Sequence, residues 1–341
     1  MIGNPTRGEI DSIESLCGVA ALLGRSRIAC LSNRLYASPP PGPVETASVL
    51  ALSPALSAGL IRIANAVRHG AGIPALNIEA ATVRLGTDRT RALAVAFECA
   101  QALCVAVGDA IDFGAYWRQG LIRGCVARAL AMNTDRRLAS EAFLVGLLQD
   151  VGSATIAAAQ PREIDRLRQN SEGCPVQLAA LEWQSFGLNH IHVGLELLRQ
   201  WQLPAIIVDA VGRHHTNPPL SPANSPAMRL WQIAYVAGAL PIGPSAAPPT
   251  NPSLLLRLLH SAFNIHAGRV AALIEQAADE YRDIESLFAR YFTAPISVAD
   301  LLGPATMLAM DAASPLDVVP ASHPVREFAR REAPLSPVLS V

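Results

Sequence analysis

The residues in this chain best suited to chemistry are a handful of histidines, one aspartate and the amides beside them. Asp150 closes the apolar run Phe143-Leu144-Val145-Gly146-Leu147-Leu148 and is preceded by Gln149; His190 opens a later segment, and His214-His215 close another. Neutral imidazoles and a carboxylate brought to one point can ligate a divalent transition metal, and such an ion acidifies bound water for attack on phosphorus. The amide of Gln149 is neutral and weakly donating, so it is a poor substitute for an imidazole in such a set.

To bring these groups together the chain must be a helical bundle, because side chains from several helices can converge on one interior point. Apolar spacing and breakers give the helices. Glu9 to Leu23 is amphipathic, Leu31 to Pro43 follows as a connector whose Ser38-Pro39-Pro40-Pro41-Gly42-Pro43 run is stiff and cannot be helical, and Val44 to Leu52 is helical. Pro54 starts a helix that runs to Val67, Asn77 to Leu85 ends on Gly86, and Thr87-Asp88 begin a long helix to Val107. Tyr116 to Asn133 follows after a turn, then Ser140 to Leu148, continuing past Gly152, which marks a close approach or a kink, to Ala159. Arg162 to Gln169, Pro175 to Phe186, His190 to Trp201 and Pro204 to His215 complete the set. Beyond the Pro/Asn-rich stretch 216–226 come Ala227 to Leu240, Ser253 to Ala262 and His266 to Tyr291, and then a tail rich in Pro, Ala and Ser.

Composition agrees with an all-α chain. Of 341 residues 51% are hydrophobic and only 5% aromatic, with Ala and Leu dominant, so a large close-packed helical core is within reach and pervasive disorder is excluded. Net charge is −1 and every Lys/Arg position is Arg, which gives no reason to expect a nucleic-acid or membrane partner. Cys17, Cys30, Cys99, Cys104, Cys125 and Cys174 show no metal-ligand spacing and read as reduced thiols. The start of the chain has no signal-peptide pattern, and the run Ala92 to Val107, interrupted by Glu98 and Gln101, is short for a bilayer span, so a cytoplasmic protein is expected.

The order of the pieces resembles the HDOD domain family, degenerate relatives of the HD and HD-GYP phosphohydrolases in bacterial signalling. The resemblance is carried by Leu52-Ser53-Pro54-Ala55-Leu56, Leu60 to Ala66, Ala80 to Gly86, Tyr116-Trp117, Ala142 to Gly152, Glu182 with Phe186-Gly187, His190 with Val193-Gly194, Trp201 to Pro204, and His214-His215. It covers roughly residues 25 to 217. It implies an all-α fold of two packed lobes on an HD-like core, and a role in signal transduction for which most members have no established catalytic activity. Two positions depart from the family pattern. Gln149 stands where its Gly-Leu-Leu-His-Asp motif has His, and Gln119 where a His often follows the tryptophan.

These readings divide the chain into a helical extension (1–24), the HDOD domain (25–217), a carboxy-terminal helical region (218–295) and a largely flexible tail (296–341). Gln119, Gln149, Asp150, His190, His214 and His215 are expected to line a vestigial pocket with no resident metal, no cofactor and no catalytic residue. Asn65, in an apolar helix, is expected to be buried and tied to neighbouring backbone, while Trp117, Trp183, Trp201 and Pro204 pack the core or a lobe interface. Arg62, Arg68 and Arg84 read as a solvated basic face. The expected function is a non-catalytic bacterial regulatory scaffold that binds a protein partner, with a nucleotide or small ligand as a further possible occupant of the pocket. The alternative is a metal-dependent phosphohydrolase or cyclic-dinucleotide phosphodiesterase with an unusual site. Oligomeric state and the role of the last helices stay open.

Overall fold

Prolines and short polar side chains set the helix starts in this chain. Among the described residues, proline occupies the first turn of six helices, where its missing N–H costs no hydrogen bond. Asn77, Asp112, Asn189, Ser225 and Asn251 each cap a helix by accepting from a backbone N–H. The computed structural model describes residues 27–66, 73–241, 251–292 and 297. Among these are fifteen α-helices and no strand.

The described helices begin with α1 (Arg27–Leu35), which takes in the start of the expected connector 31–43, followed by α2 (Pro43–Leu50), α3 (Pro54–Ala66), α4 (Ile78–Leu85) and α5 (Thr87–Val107). Then come α6 (Phe113–Met132), a 3-10 turn (Arg136–Leu138), α7 (Ala139–Leu148), α8 (Val151–Ala159), α9 (Pro161–Asn170), α10 (Pro175–Phe186), α11 (His190–Gln200) and α12 (Ala205–Gly212). The chain continues through α13 (Pro226–Ala239), α14 (Pro252–Ser261) and α15 (Ala267–Phe288), which ends in the 3-10 turn Ala289–Tyr291. The expected helix at 9–23, the expected tail beyond residue 297, Cys17 and residues 67–72, Arg68 among them, lie outside the described residues.

Two close approaches between helices fix the centre of the fold. Helices α6 and α7 touch backbone to backbone: a Cβ on Gly124 would lie 2.9 Å from the Phe143 carbonyl oxygen, and one on Gly146 would lie 2.5 Å from that of Arg123. Helices α8 and α11 meet at Gly152, where a Cβ would lie 2.0 Å from the His190 carbonyl oxygen. Only glycine allows axes this near. The expected helix through Gly152 is in fact two helices: α7 stops at Leu148 and α8 starts at Val151, so Gln149-Asp150 form the corner.

The helices after residue 216 pack into the same hydrophobic core as those before it and do not stand apart. Trp231 Nε1 donates to the Thr216 carbonyl at 3.0 Å, and Gln232 Nε2 donates to the carbonyls of Pro219 and Ser221, both at 2.8 Å. Helix α15 lies across α3 and α6: Leu287 fills the space over Gly59, and Phe288 meets Trp117 at 6.0 Å between ring centroids. Glu280 bridges Arg89 of α5 at 2.8 Å and Arg128 of α6 at 3.2 Å, tying three helices with one carboxylate. Among the described residues two stretches, Thr87–Val107 and Arg136–Ala159, are long and apolar enough to cross a membrane, and the most apolar part of each is mostly buried inside the fold.

Side chains expected to pack divide by burial. Trp117 and Trp201 are buried and Pro204 is half-buried, but Trp183 is 51% exposed, its ring 5.1 Å from that of exposed His192. The helical period explains the difference: Ala179, Glu182 and Phe186 take the inward face of α10, and Trp183 falls beside it. Asn65 is exposed, yet its amide both donates to the Ala75 carbonyl (3.0 Å) and accepts from the Ala75 N–H (2.8 Å), so it fastens backbone without being buried. Arg62 and Arg84 are not a bare cationic face, since Arg62 donates to the Ser286 carbonyl (2.7 Å) and Arg84 to Asn65 Oδ1 (3.0 Å).

Candidate functional site

Asp150 occupies the N-cap position of α8, where an aspartate ordinarily accepts from the helix's first amides, but its side chain makes no cap bond. The carboxylate points instead into a cluster of imidazoles. His190 is the first residue of α11, set by the preceding Asn189, whose Oδ1 accepts from the N–H groups of Ile191 (3.1 Å) and His192 (3.3 Å). Asn189→Ala is expected to lose about 1 kcal/mol of stability, read from urea denaturation; an unchanged midpoint would contradict this account of the cap. His214 and His215 follow the end of α12 in a turn, with rings 3.9 Å apart.

Ligand atoms of Asp150, His190, His214 and His215 all lie within 4.8 Å of one another. His190 Nε2 is 3.0 Å from His215 Nε2 and 3.9 Å from Asp150 Oδ1, and His214 Nε2 is 3.3 Å from that same oxygen. The rings are held from behind. His190 Nδ1 donates to Glu182 Oε2 at 2.6 Å, while the His190 backbone N–H donates to the same oxygen at 2.8 Å. His214 Nδ1 donates to the Val211 carbonyl at 2.6 Å. With both Nδ1 atoms occupied as donors, the Nε2 atoms carry the free lone pairs into the cluster.

On the far side of the carboxylate, the Arg123 guanidinium pairs with Asp150 Oδ2, and Tyr116 donates its hydroxyl to the Asp150 backbone carbonyl at 3.2 Å. His190 and His214 are buried, whereas the Asp150 side chain is 25% exposed, so the cluster opens to solvent on the Asp150 and His215 side.

The charges are shaped by these neighbours. Burial works to raise the Asp150 pKa, but Arg123, then His214 and His190, outweigh it and hold the carboxyl well below the ordinary range. Burial disfavours a charged His190, yet the hydrogen bond and charge of Glu182 raise its pKa above the usual value. Burial and the neighbouring His214 and His190 push His215 well down, which leaves it a neutral acceptor.

Such a donor set fits a single transition-metal ion. Bonds of about 2.0–2.2 Å to imidazole and carboxylate place neighbouring donors about 3 to 3.5 Å apart, close to the 3.0, 3.3 and 3.9 Å separations in the cluster. Moreover, the N···N contact of His190 with His215 requires one proton or one cation between two lone pairs, and so does the approach of His214 Nε2 to Asp150. His190, with Glu182 behind it, has the carboxylate–histidine arrangement that orients metal-bound imidazoles.

Of the residues expected in the pocket, four are brought together and two are placed otherwise. Gln119 is exposed on α6. One turn further along, Arg123 is the residue that reaches Asp150, because positions i and i+4 share a helix face. Gln149 is buried, with its amide packed against Gly238 of α13, 2.5 Å from where a Cβ there would sit. Sequence reasoning missed Arg123 and the supporting role of Glu182. A sequence signal existed for each, namely an arginine one turn from Gln119 and an acid eight residues before His190 across the Gly187 turn.

Comparison with known proteins identifies the family and the fold. The HDOD domain family model matches residues 28–217. An Uncharacterized protein of Treponema pallidum (strain Nichols) is 24% identical over 165 residues, which is 48% of this chain but only 32% of that protein's length. Among solved structures, an HDOD domain protein with unknown function from Geobacter sulfurreducens superposes with a TM-score of 0.58 at 18% identity, over 84% of this chain and 99% of that one. The Putative phosphohydrolase of Shewanella amazonensis SB2B gives 0.56 at 20% identity over 81% and 98%. The Putative signal transduction protein of Marinobacter aquaeolei VT8 gives 0.56 at 17% identity over 83% and 66%. At these identities the structural likenesses speak to the fold, and the match over residues 28–217 supplies the rest: the chain belongs to the HDOD domain family.

Proposed function

We propose that this chain is a non-catalytic cytoplasmic signal-transduction module, acting through a protein partner, whose pocket recognises and does not hydrolyse. The observation that carries this reading is Gln149. It stands at the position where the HDOD resemblance has His, and it is buried against Gly238 of α13 with its amide oxygen unpartnered, so the position offers no imidazole lone pair to the cluster. A catalytic doublet in that place would need the side chain free for an ion. The likeness in fold to the Marinobacter aquaeolei protein also supports a signalling role.

A second reading, a metal-dependent phosphohydrolase, is favoured by the convergence of three imidazoles with Asp150. An ion held there by His190, His214, His215 and Asp150 would supply Lewis acidity and an activated water. The chain's own part would be to fix the imidazole tautomers through Glu182 and the Val211 carbonyl and to keep Asp150 ionised.

One experiment separates the two. Purified full chain is assayed with manganese on bis-(p-nitrophenyl) phosphate and on a cyclic dinucleotide, beside Asp150→Ala, and tagged protein is recovered from its host for partner identification. The expected result is no turnover above the Asp150→Ala background, together with a reproducible protein partner. Turnover at least tenfold above that background would establish the hydrolase reading instead.

A further inference from the structure

Among the described residues, Arg123 is the one cationic side chain in contact with Asp150 that is not an imidazole, and its placement is built into the fold. At its backbone α6 meets α7 with no side chain between: the Arg123 carbonyl lies where a Cβ of Gly146 would be, four residues before Asp150. The guanidinium is therefore delivered from a fixed point to a carboxylate fixed at the α7–α8 corner, whose carbonyl Tyr116 also holds. Its side chain is only 18% exposed, so solvent does little to weaken the pairing.

The two oxygens of Asp150 are divided. Oδ1 faces His214 at 3.3 Å and His190 at 3.9 Å, while Oδ2 belongs to Arg123. An ion seated among the imidazoles could use Oδ1 alone, and would sit one carboxylate away from a fixed positive charge. The formal charges of Asp150 and Glu182 sum to −2, and Arg123 leaves −1 to attract a divalent ion. Over a separation of a few ångströms in a half-buried site, a unit charge changes ion affinity by at least an order of magnitude.

We infer that Arg123 is a resident cation that competes with a divalent metal ion for Asp150 and holds the affinity of the histidine cluster for such an ion low. The inference goes beyond the proposed function. It concerns metal affinity alone, and it holds or fails whether or not the chain hydrolyses anything or binds a partner.

The test is a titration of the full chain with Co2+, followed by the visible absorption of the bound ion and by equilibrium dialysis. Arg123→Gln removes the charge and is expected to bind Co2+ at least tenfold more tightly than the unchanged chain, whereas Arg123→Lys retains the charge and should stay within a factor of three of it. If Arg123→Gln does not fold, judged by near-ultraviolet circular dichroism, Arg123→Met keeps the aliphatic stem and serves in its place. Equal or weaker binding by a folded charge-removed variant, or no Co2+ bound by it at all, overturns the inference and leaves Arg123 as an orienting residue. The hydrolysis assay and partner recovery do not depend on either outcome.

Discussion

Gly152→Ala is expected to destabilise the fold by about 3 kcal/mol, and Gly152→Val by more, because the new side chain would be driven into backbone with nowhere to move. The added Cβ would lie 2.0 Å from the His190 carbonyl oxygen and 2.7 Å from the Gly194 backbone nitrogen. Ordinary contact is about 3.5 Å or more, so α8 and α11 would have to separate by over an ångström. That separation acts on the site directly. Asp150 immediately precedes α8 and His190 opens α11, so parting the helices parts the carboxylate from the imidazole. Thermal denaturation should show the midpoint lowered by roughly 6 to 12 °C for alanine. Gly187→Ala is the informative control. Gly187 has φ 70° and nothing within 4 Å of an added Cβ, so it is strained without being crowded and should cost only about 1 kcal/mol. If the two alanine variants melt together, crowding at Gly152 is not what holds these helices.

Much of the fold was legible because its punctuation is local. Pro175, Gly86 and Gly187 act within a turn of their own positions, so α5 begins at Thr87 and α10 runs from Pro175 to Phe186 where their sequence signals put them. Bounds drifted where no breaker stands. The residues after Leu148 remain helix-forming in composition, and nothing local says that Gln149-Asp150 turn a corner; what bends the chain there is the tertiary demand that Asp150 face α6 and the histidines.

The site divides along the same line. Asp150, His190, His214 and His215 could be named from ligand chemistry and from the order of the motifs that carry the family resemblance. Gln119 and Arg123 illustrate the limit. Both lie on one face of α6, and which one enters the pocket depends on how α6 is set against α7 by Gly120, Gly124 and Gly146, a packing result that no single-helix pattern contains. Trp183 failed for a similar reason, because a tryptophan's size argues for burial while its position on α10 argues against it.

Glu182→Ala is the second change expected to have a large effect, at about 3–5 kcal/mol, the cost of leaving one member of a buried pair without its partner. Glu182 is fully buried, and its Oε2 accepts from both the backbone N–H and Nδ1 of His190, whose side chain is only 2% exposed. Losing the carboxylate strands a first-turn amide of α11 and an imidazole N–H together, and neither can reach water. Glu182→Gln separates the two functions of the residue. Its amide oxygen can still accept from both donors, but its NH2 takes the buried, unpartnered place of Oε1, so roughly 1–3 kcal/mol should be lost, and the imidazole loses the negative charge behind it. Co2+ affinity of the cluster should then fall by about 10- to 100-fold even in the folded variant, as for other supports of metal-facing imidazoles. Denaturation of both variants measures the first effect and Co2+ titration of Glu182→Gln the second. A Glu182→Gln chain that binds Co2+ as well as the unchanged protein would mean that the His190 ring is held by packing alone, with Glu182 serving the helix start and not the site.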